Sequence, residues 1–106
     1  MTNNDKLIPH LAKLISQAKD LHYTDRYGAQ VQVRIQPLVK IEKMNADAAT
    51  ISKLDDYGVS DALVIGNDAA GTPILLDCAT LKTYLLDPGM TAPGQYLKNE
   101  IAIKAG

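Results

Sequence analysis

The sequence predicts an α+β domain: an N-terminal helix, a short middle helix, and a mainly antiparallel sheet whose C-terminal half is a meander. Three patterns carry that reading. Apolar residues recur every three or four positions near the N-terminus, alternate with polar ones from residue 31, and fall into strand-length blocks between residues 62 and 87. At 106 residues the chain has room for one core burying about two-thirds of its unfolded surface, so a single domain over residues 1–106 is expected.

Leu7, Ile8, Leu11, Leu14, Ile15, Ala18 and Leu21 form one stripe of a helix ending near His22, with Lys6, Lys13, Gln17 and Lys19 on the other side. Asn4 or Asp5 is placed to cap its first amides, and Pro9 is tolerated if it lies in the first turn. Asp25-Arg26-Tyr27-Gly28 reads as a turn, because glycine accepts the left-handed angles that a reversal often requires. Val31, Val33, Ile35, Val39 and Ile41 then alternate with Gln32, Arg34, Gln36, Lys40 and Glu42, the period of a half-buried strand. Pro37 keeps that phase but cannot donate to a ladder, so the run is either an edge strand or two strands meeting at a bend. Residues 46–54 read as a short helix capped by Asn45 or Asp47, with Ile51 and Leu54 turned inward.

Ala62-Leu63-Val64-Ile65 is a continuous apolar run, as in a central strand buried on both faces. Residues 66–72 have the composition of a loop, and residues 74–76 and 83–86 read as further strands joined by a tight turn at 79–82. The connection from 65 to 74 is too short for a parallel crossover, which makes the pairing antiparallel. Asp87-Pro88-Gly89 stops the meander. Beyond it, Tyr96, Leu97 and Ile101 have helical spacing while Ile101 and Ile103 alternate as in a strand, and both readings stand.

Composition narrows the function classes. With five Tyr and no Phe or Trp, aliphatic side chains must fill the core, and tyrosine rings go where the hydroxyl reaches water or a partner. A net charge of −1 argues against a nucleic-acid partner, which requires many Lys and Arg to displace counterions. No charged-then-apolar leader opens the chain and no apolar run approaches the ~20 residues of a membrane span, so no membrane partner and a cytoplasmic location are expected. The charge is nevertheless uneven. Between residues 45 and 81 stand Asp47, Asp55, Asp56, Asp61, Asp68 and Asp77 against Lys53 alone, an excess that attracts cationic partners.

Catalytic patterns fail on their chemistry. Gly66-x-x-x-x-Gly71-Thr72 follows a strand as a phosphate loop does, but it lacks the lysine, and Pro73 opens a strand where a helix N-terminus is needed. His10 and His22, twelve residues apart on the expected helix, would be separated by more than ~15 Å, too far for one metal. Asp55-Asp56 and Asn67-Asp68 lack the alternating spacing of a calcium loop. Cys78 has no base close in sequence and reads as an inert thiol, while Ser16, Ser52 and Ser60 have no nucleophile elbow. Neither an enzyme nor a metal or other cofactor is expected.

The run Asp61-Ala-Leu-Val-Ile-Gly-Asn-Asp-Ala-Ala-Gly-Thr-Pro-Ile-Leu-Leu-Asp77, followed by Thr83-Tyr-Leu-Leu-Asp87, resembles the SUKH superfamily. The matching features are an apolar strand ending in Ile65-Gly66, the acidic loop Asn67-Asp68 with Gly71, a second strand ending in Leu76-Asp77, and Tyr84 in a third. The Leu-Pro-x-x-(Tyr/Phe) helix and the Asn-Gly pair usual in that group are not found. The resemblance implies an antiparallel sheet with helices packed against it. It also implies a role like that of bacterial immunity proteins, which bind and neutralise toxins.

The expected function is therefore a non-enzymatic protein-binding module, monomeric or homodimeric, whose partner is a protein such as a basic toxin. Turn exposure and charge select Asp55, Asp56, Tyr57, Asn67 and Asp68 as partner-binding residues. The alternative is a small-molecule-binding or regulatory domain with a pocket between the first helix and the sheet.

Overall fold

The computed structural model describes residues 4–16, 20–87, 89 and 92–105, with the backbone alone for residues 4–8. Among these the elements run α1 (Asn4–Ser16), β1 (His22–Thr24), β2 (Gln30–Ile35), α2 (Leu38–Ala46), α3 (Ala48–Asp56), β3 (Ala62–Asp68), β4 (Pro73–Asp77), β5 (Thr83–Leu85), a 3-10 turn (Gln95–Lys98) and β6 (Glu100–Ile101). The fold is α+β. Its six strands pair antiparallel in chain order, β1 to β6. The sheet rolls far enough for His22 to meet Lys104, and the two exchange both main-chain hydrogen bonds at 2.9 and 2.8 Å.

The expected helix ends earlier than its apolar stripe suggests. Leu21 is buried, but it lies outside α1, and His22 already belongs to β1. Both readings need Leu21 inside, so the periodicity could not separate them. Pro9 sits inside α1 rather than in its first turn, where it removes one helical hydrogen bond. The expected caps at Asn4 and Asp5, the stripe side chains of Leu7 and Ile8, the polar-face side chain of Lys6 and residues 17–19 lie outside the described residues.

A larger departure follows Pro37. The alternation stops at Ile35, and Leu38–Ala46 is helix rather than a second strand or an extension of the first. Pro37 stands at the N-cap with φ −59°, and its carbonyl accepts from Ile41 at 2.9 Å to close the first turn. Leu38, Ile41 and Met44 then share the helical face that packs on the core, whereas Val39 is 66% exposed. The helix expected over 46–54 is α3. Its N-cap is Asp47, whose carboxylate accepts from the Thr50 amide at 3.3 Å. Leu54 turns inward as expected, but Ile51 does not: it is 47% exposed.

Two cores lie on opposite faces of the sheet. The concave face receives side chains from every strand, including Tyr23, Val33, Ile35, Ile65, Ile74 and Leu76, and is covered by Leu11 of α1 and Ile41 of α2. The other face joins Leu75, Tyr84 and Leu86 to Val59 and Tyr96, with the two tyrosine rings edge-on at 5.7 Å. Strand β4 is enclosed on both sides, with Ile74, Leu75 and Leu76 at 0% exposure, whereas the run expected to be buried on both faces, residues 62–65, is half-buried except at Ile65. The β3–β4–β5 meander and the turn after Asp77 are found as expected, but β3 runs on through Gly66, Asn67 and Asp68, which the sequence assigned to the loop, because β2 pairs with them on its other side. The undecided segment is both things in turn, a 3-10 turn and then β6.

Asn45, considered above as a helix cap, acts instead as a piece of strand. Because β2 leaves the sheet after Ile35, the outer edge of β3 at Val64 has no strand beside it. The Asn45 side chain fills the place, accepting from the Val64 amide at 2.9 Å and donating to the Val64 carbonyl at 2.8 Å. It also donates to Ile41 of its own helix. Replacing Asn45 by alanine strands both main-chain groups of Val64, and we expect a loss of about 2 kcal/mol in urea unfolding. A loss below a few tenths would mean that water takes over the pairing.

Candidate functional site

The chain turns sharply after α3. Tyr57 caps the helix, Gly58 enters the left-handed region at φ 69° and donates to Asp55, and Val59 donates back to Leu54 before burying its side chain. A side chain at Gly58 would meet Pro93, and the Gly94 amide donates to Tyr57, so residues 93–94 clamp the turn from outside. Tyr57 is half-buried against the second core. Asp55 and Asp56 are exposed, and among the described residues neither carboxylate has a hydrogen bond or an ion pair. Asp61, exposed at φ 53°, is a further carboxylate before β3 that was not selected from the sequence. Its position between a turn and an apolar run was the available signal.

Asn67 and Asp68 lie at the other end of β3. Seven residues of strand at about 3.3 Å each set the two ends about 20 Å apart, so the five selected residues do not form one surface. Asn67 is half-buried, pairs in register with Arg34, and donates to the Asp68 carbonyl. Asp68 departs from the expectation of an exposed loop acid, being 5% exposed and engaged on both oxygens. Oδ1 accepts from the amides of Ala70 and Thr72 at 3.0 and 2.9 Å, and Oδ2 accepts from the Tyr23 hydroxyl at 3.0 Å. A short hairpin loop needs its amides satisfied, and an aspartate at its first corner does that locally. Burial, then the hydrogen bond and charge of Asp68 and the charge of Asp25, push the Tyr23 phenol up to about 12. Asp68 and Tyr23 are thus structural partners.

Other carboxylates in the acidic stretch are also occupied. Asp77 accepts from the amides of Ala79 and Thr80, and Asp47 caps α3. Cys78 is half-buried, with its thiol pushed up by burial and then by Asp61 and Asp77, which disfavours the thiolate. His10 is pushed down by burial and by Lys13, and the carboxylate sharing its groove, Glu100, lies 3.8 Å from Lys82. That groove between α1 and the sheet is small, about 230 Å³. A larger one, about 660 Å³, runs over the outer face of β2 beside Gln32, Arg34, Gln36 and Asn67. No described helix is long and apolar enough to cross a membrane, and no group of three His, Cys, Asp or Glu among the described residues comes together to hold a metal.

Comparison of the chain with protein-family models, with curated proteins and with solved structures gave no match.

Proposed function

We propose that this domain is a protein-binding module that engages a basic protein surface through the acidic end of α3, with Asp55, Asp56 and Asp61 supplying charge and Tyr57 the ring beside them. One observation carries the reading. Asp55 and Asp56 are the last two residues of α3, where the helix dipole already places negative charge, and no cation among the described residues pairs with either. Two carboxylates held against the local field weaken the fold, and a cationic partner reverses that penalty on docking. Asn67 and Asp68 do not belong to this surface. The SUKH resemblance suggests the partner class, a basic toxin met in the bacterial cytoplasm by an immunity protein.

The test is a paired measurement on Asp55→Lys/Asp56→Lys. Co-expressed with the products of adjacent reading frames, the wild-type chain should retain one of them at low salt and release it at high salt. The double variant should lose that complex while its own unfolding midpoint rises, since cations suit a helix C-terminus. Retention by the variant, or loss of binding accompanied by a lower midpoint, counts against the reading.

A further inference from the structure

The outer face of the sheet is covered over only part of its width. The second core lies on β4, β5 and the Val64 end of β3, and among the described residues it takes no side chain from β1 or β2. On β2, Val33 and Ile35 turn into the concave core, so Gln32 and Arg34 point the other way. Asn67 is the register partner of Arg34 and therefore stands beside it on the same face. Gln36 and Pro37, where the chain turns into α2, and Ala69 in the β3–β4 loop complete the walls of an open trough of about 660 Å³. Main-chain groups around it are spent on the fold, the Gln36 amide on the Ile65 carbonyl and the Ala69 amide on the Gln32 carbonyl. The side chains are not. Among the described residues the exposed Arg34 guanidinium has no ion pair or hydrogen bond, and the side-chain amides of Gln32 and Gln36 have no partner. Asn67 donates to the Asp68 carbonyl and keeps a second N–H. Asp68 is the acid on these walls, but its two oxygens are taken by Ala70, Thr72 and Tyr23.

We propose that this trough is a binding site for a small molecule bearing an oxyanion, a carboxylate or a phosphate monoester, held on Arg34 with the side-chain amides of Gln32, Gln36 and Asn67 around it. A guanidinium presents paired N–H groups in one plane, at the spacing of two oxygens of a carboxylate or phosphate. The three amides supply N–H groups for the lone pairs that such a pairing leaves over. Charge selects the class of occupant. A neutral molecule would take Arg34 out of water without compensation, and a cation would be repelled, whereas an oxyanion satisfies the one ionic side chain on these walls whose partners are missing among the described residues. The volume is that of a site for a small molecule rather than a bare ion. The trough lies at the end of β3 away from Asp55 and Asp56, and it stands independently of the function proposed for them.

Benzoate and phenyl phosphate carry the two headgroups on one ring, and titrating each into the 15N-labelled chain tests this by NMR. Saturable shifts are expected at the Arg34 Nε–H and at the side-chain amides of Gln32, Gln36 and Asn67, and the tighter of the two probes names the headgroup. Sodium chloride at matched ionic strength should leave those signals in place. Arg34→Gln should weaken binding about tenfold or more with little change in the unfolding midpoint, since the side chain is exposed. Arg34→Lys keeps the charge without the planar fork and should recover only part of the affinity. Asp55→Lys/Asp56→Lys should bind as wild type does. Shifts that never saturate with either probe, equal shifts with chloride, or unchanged affinity in Arg34→Gln each overturn the proposal. So does full affinity in Arg34→Lys, because the trough would then be reading charge alone.

Discussion

Gly66→Ala is expected to cost about 3 kcal/mol and to lower the melting temperature by on the order of 15 °C. The reason is a backbone approach rather than a backbone angle. A Cβ at this position would run into the Arg34 carbonyl oxygen and sit 3.0 Å from the Ile35 Cα, atoms that cannot swing aside as a side chain can. Gly66 lies where β3 bulges, the register shifting between Val64 and Gly66, and it is the residue opposite Ile35 on β2. Any side chain therefore pries β2 from β3 just before Asp68 reaches Tyr23. Gly71→Ala is the control. Gly71 has φ 86°, but its Cβ would meet open space, so only the conformational cost of about 1 kcal/mol applies. Urea unfolding of the two variants separates the causes, and equal losses would show that close packing at Gly66 is not what requires glycine.

How far the sequence reveals this molecule depends on whether a pattern has one physical solution. Residues 62–87 were legible because short apolar blocks with Asp and Gly between them admit little but a meander, and Asp77 closes its turn on the amides of Ala79 and Thr80. Residues 31–41 were not. Val39 and Ile41 continue an alternation, yet Leu38, Ile41 and Met44 equally form a helical stripe, and the proline between the two patterns starts that helix. Helix α1 shows the same ambiguity at its end, where Leu21 satisfies a helix face and a strand position alike. The candidate site was half legible. Asp55 and Asp56 follow from turn composition and are exposed, but composition does not reveal that Asp68 is taken up by its own loop and by a tyrosine 45 residues away. The rolling of the sheet was invisible, since it depends on the distant meeting of His22 and Lys104.

The Tyr23–Asp68 pair makes stability fall in alkali, with a sign fixed by the direction of the shift. An unfolded tyrosine titrates near 10 and the folded Tyr23 near 12, so between those values the unfolded chain has released a proton that the folded one still holds. The stabilising contribution is complete below pH 10 and is lost as the pH rises to 12, by roughly 2–3 kcal/mol in total. Tyr96, raised by burial and then by Asp77 and Tyr84, adds to the loss in the same direction. Tyr23→Phe should therefore be less stable than wild type at neutral pH, by about 1–2 kcal/mol, because Asp68 Oδ2 loses its donor in a buried place. It should then converge on wild type as the pH climbs, having no proton at that site to release. Asp68→Ala goes further at neutral pH. It strands the hydroxyl of Tyr23 and the amides of Ala70 and Thr72 together, for about 3 kcal/mol. Urea unfolding of wild type and Tyr23→Phe across the alkaline range decides the matter, because two curves that stay parallel would mean the phenol is not protected by the fold, and two that coincide at neutral pH would mean its contact with Asp68 contributes nothing to holding β1 against the β3–β4 loop.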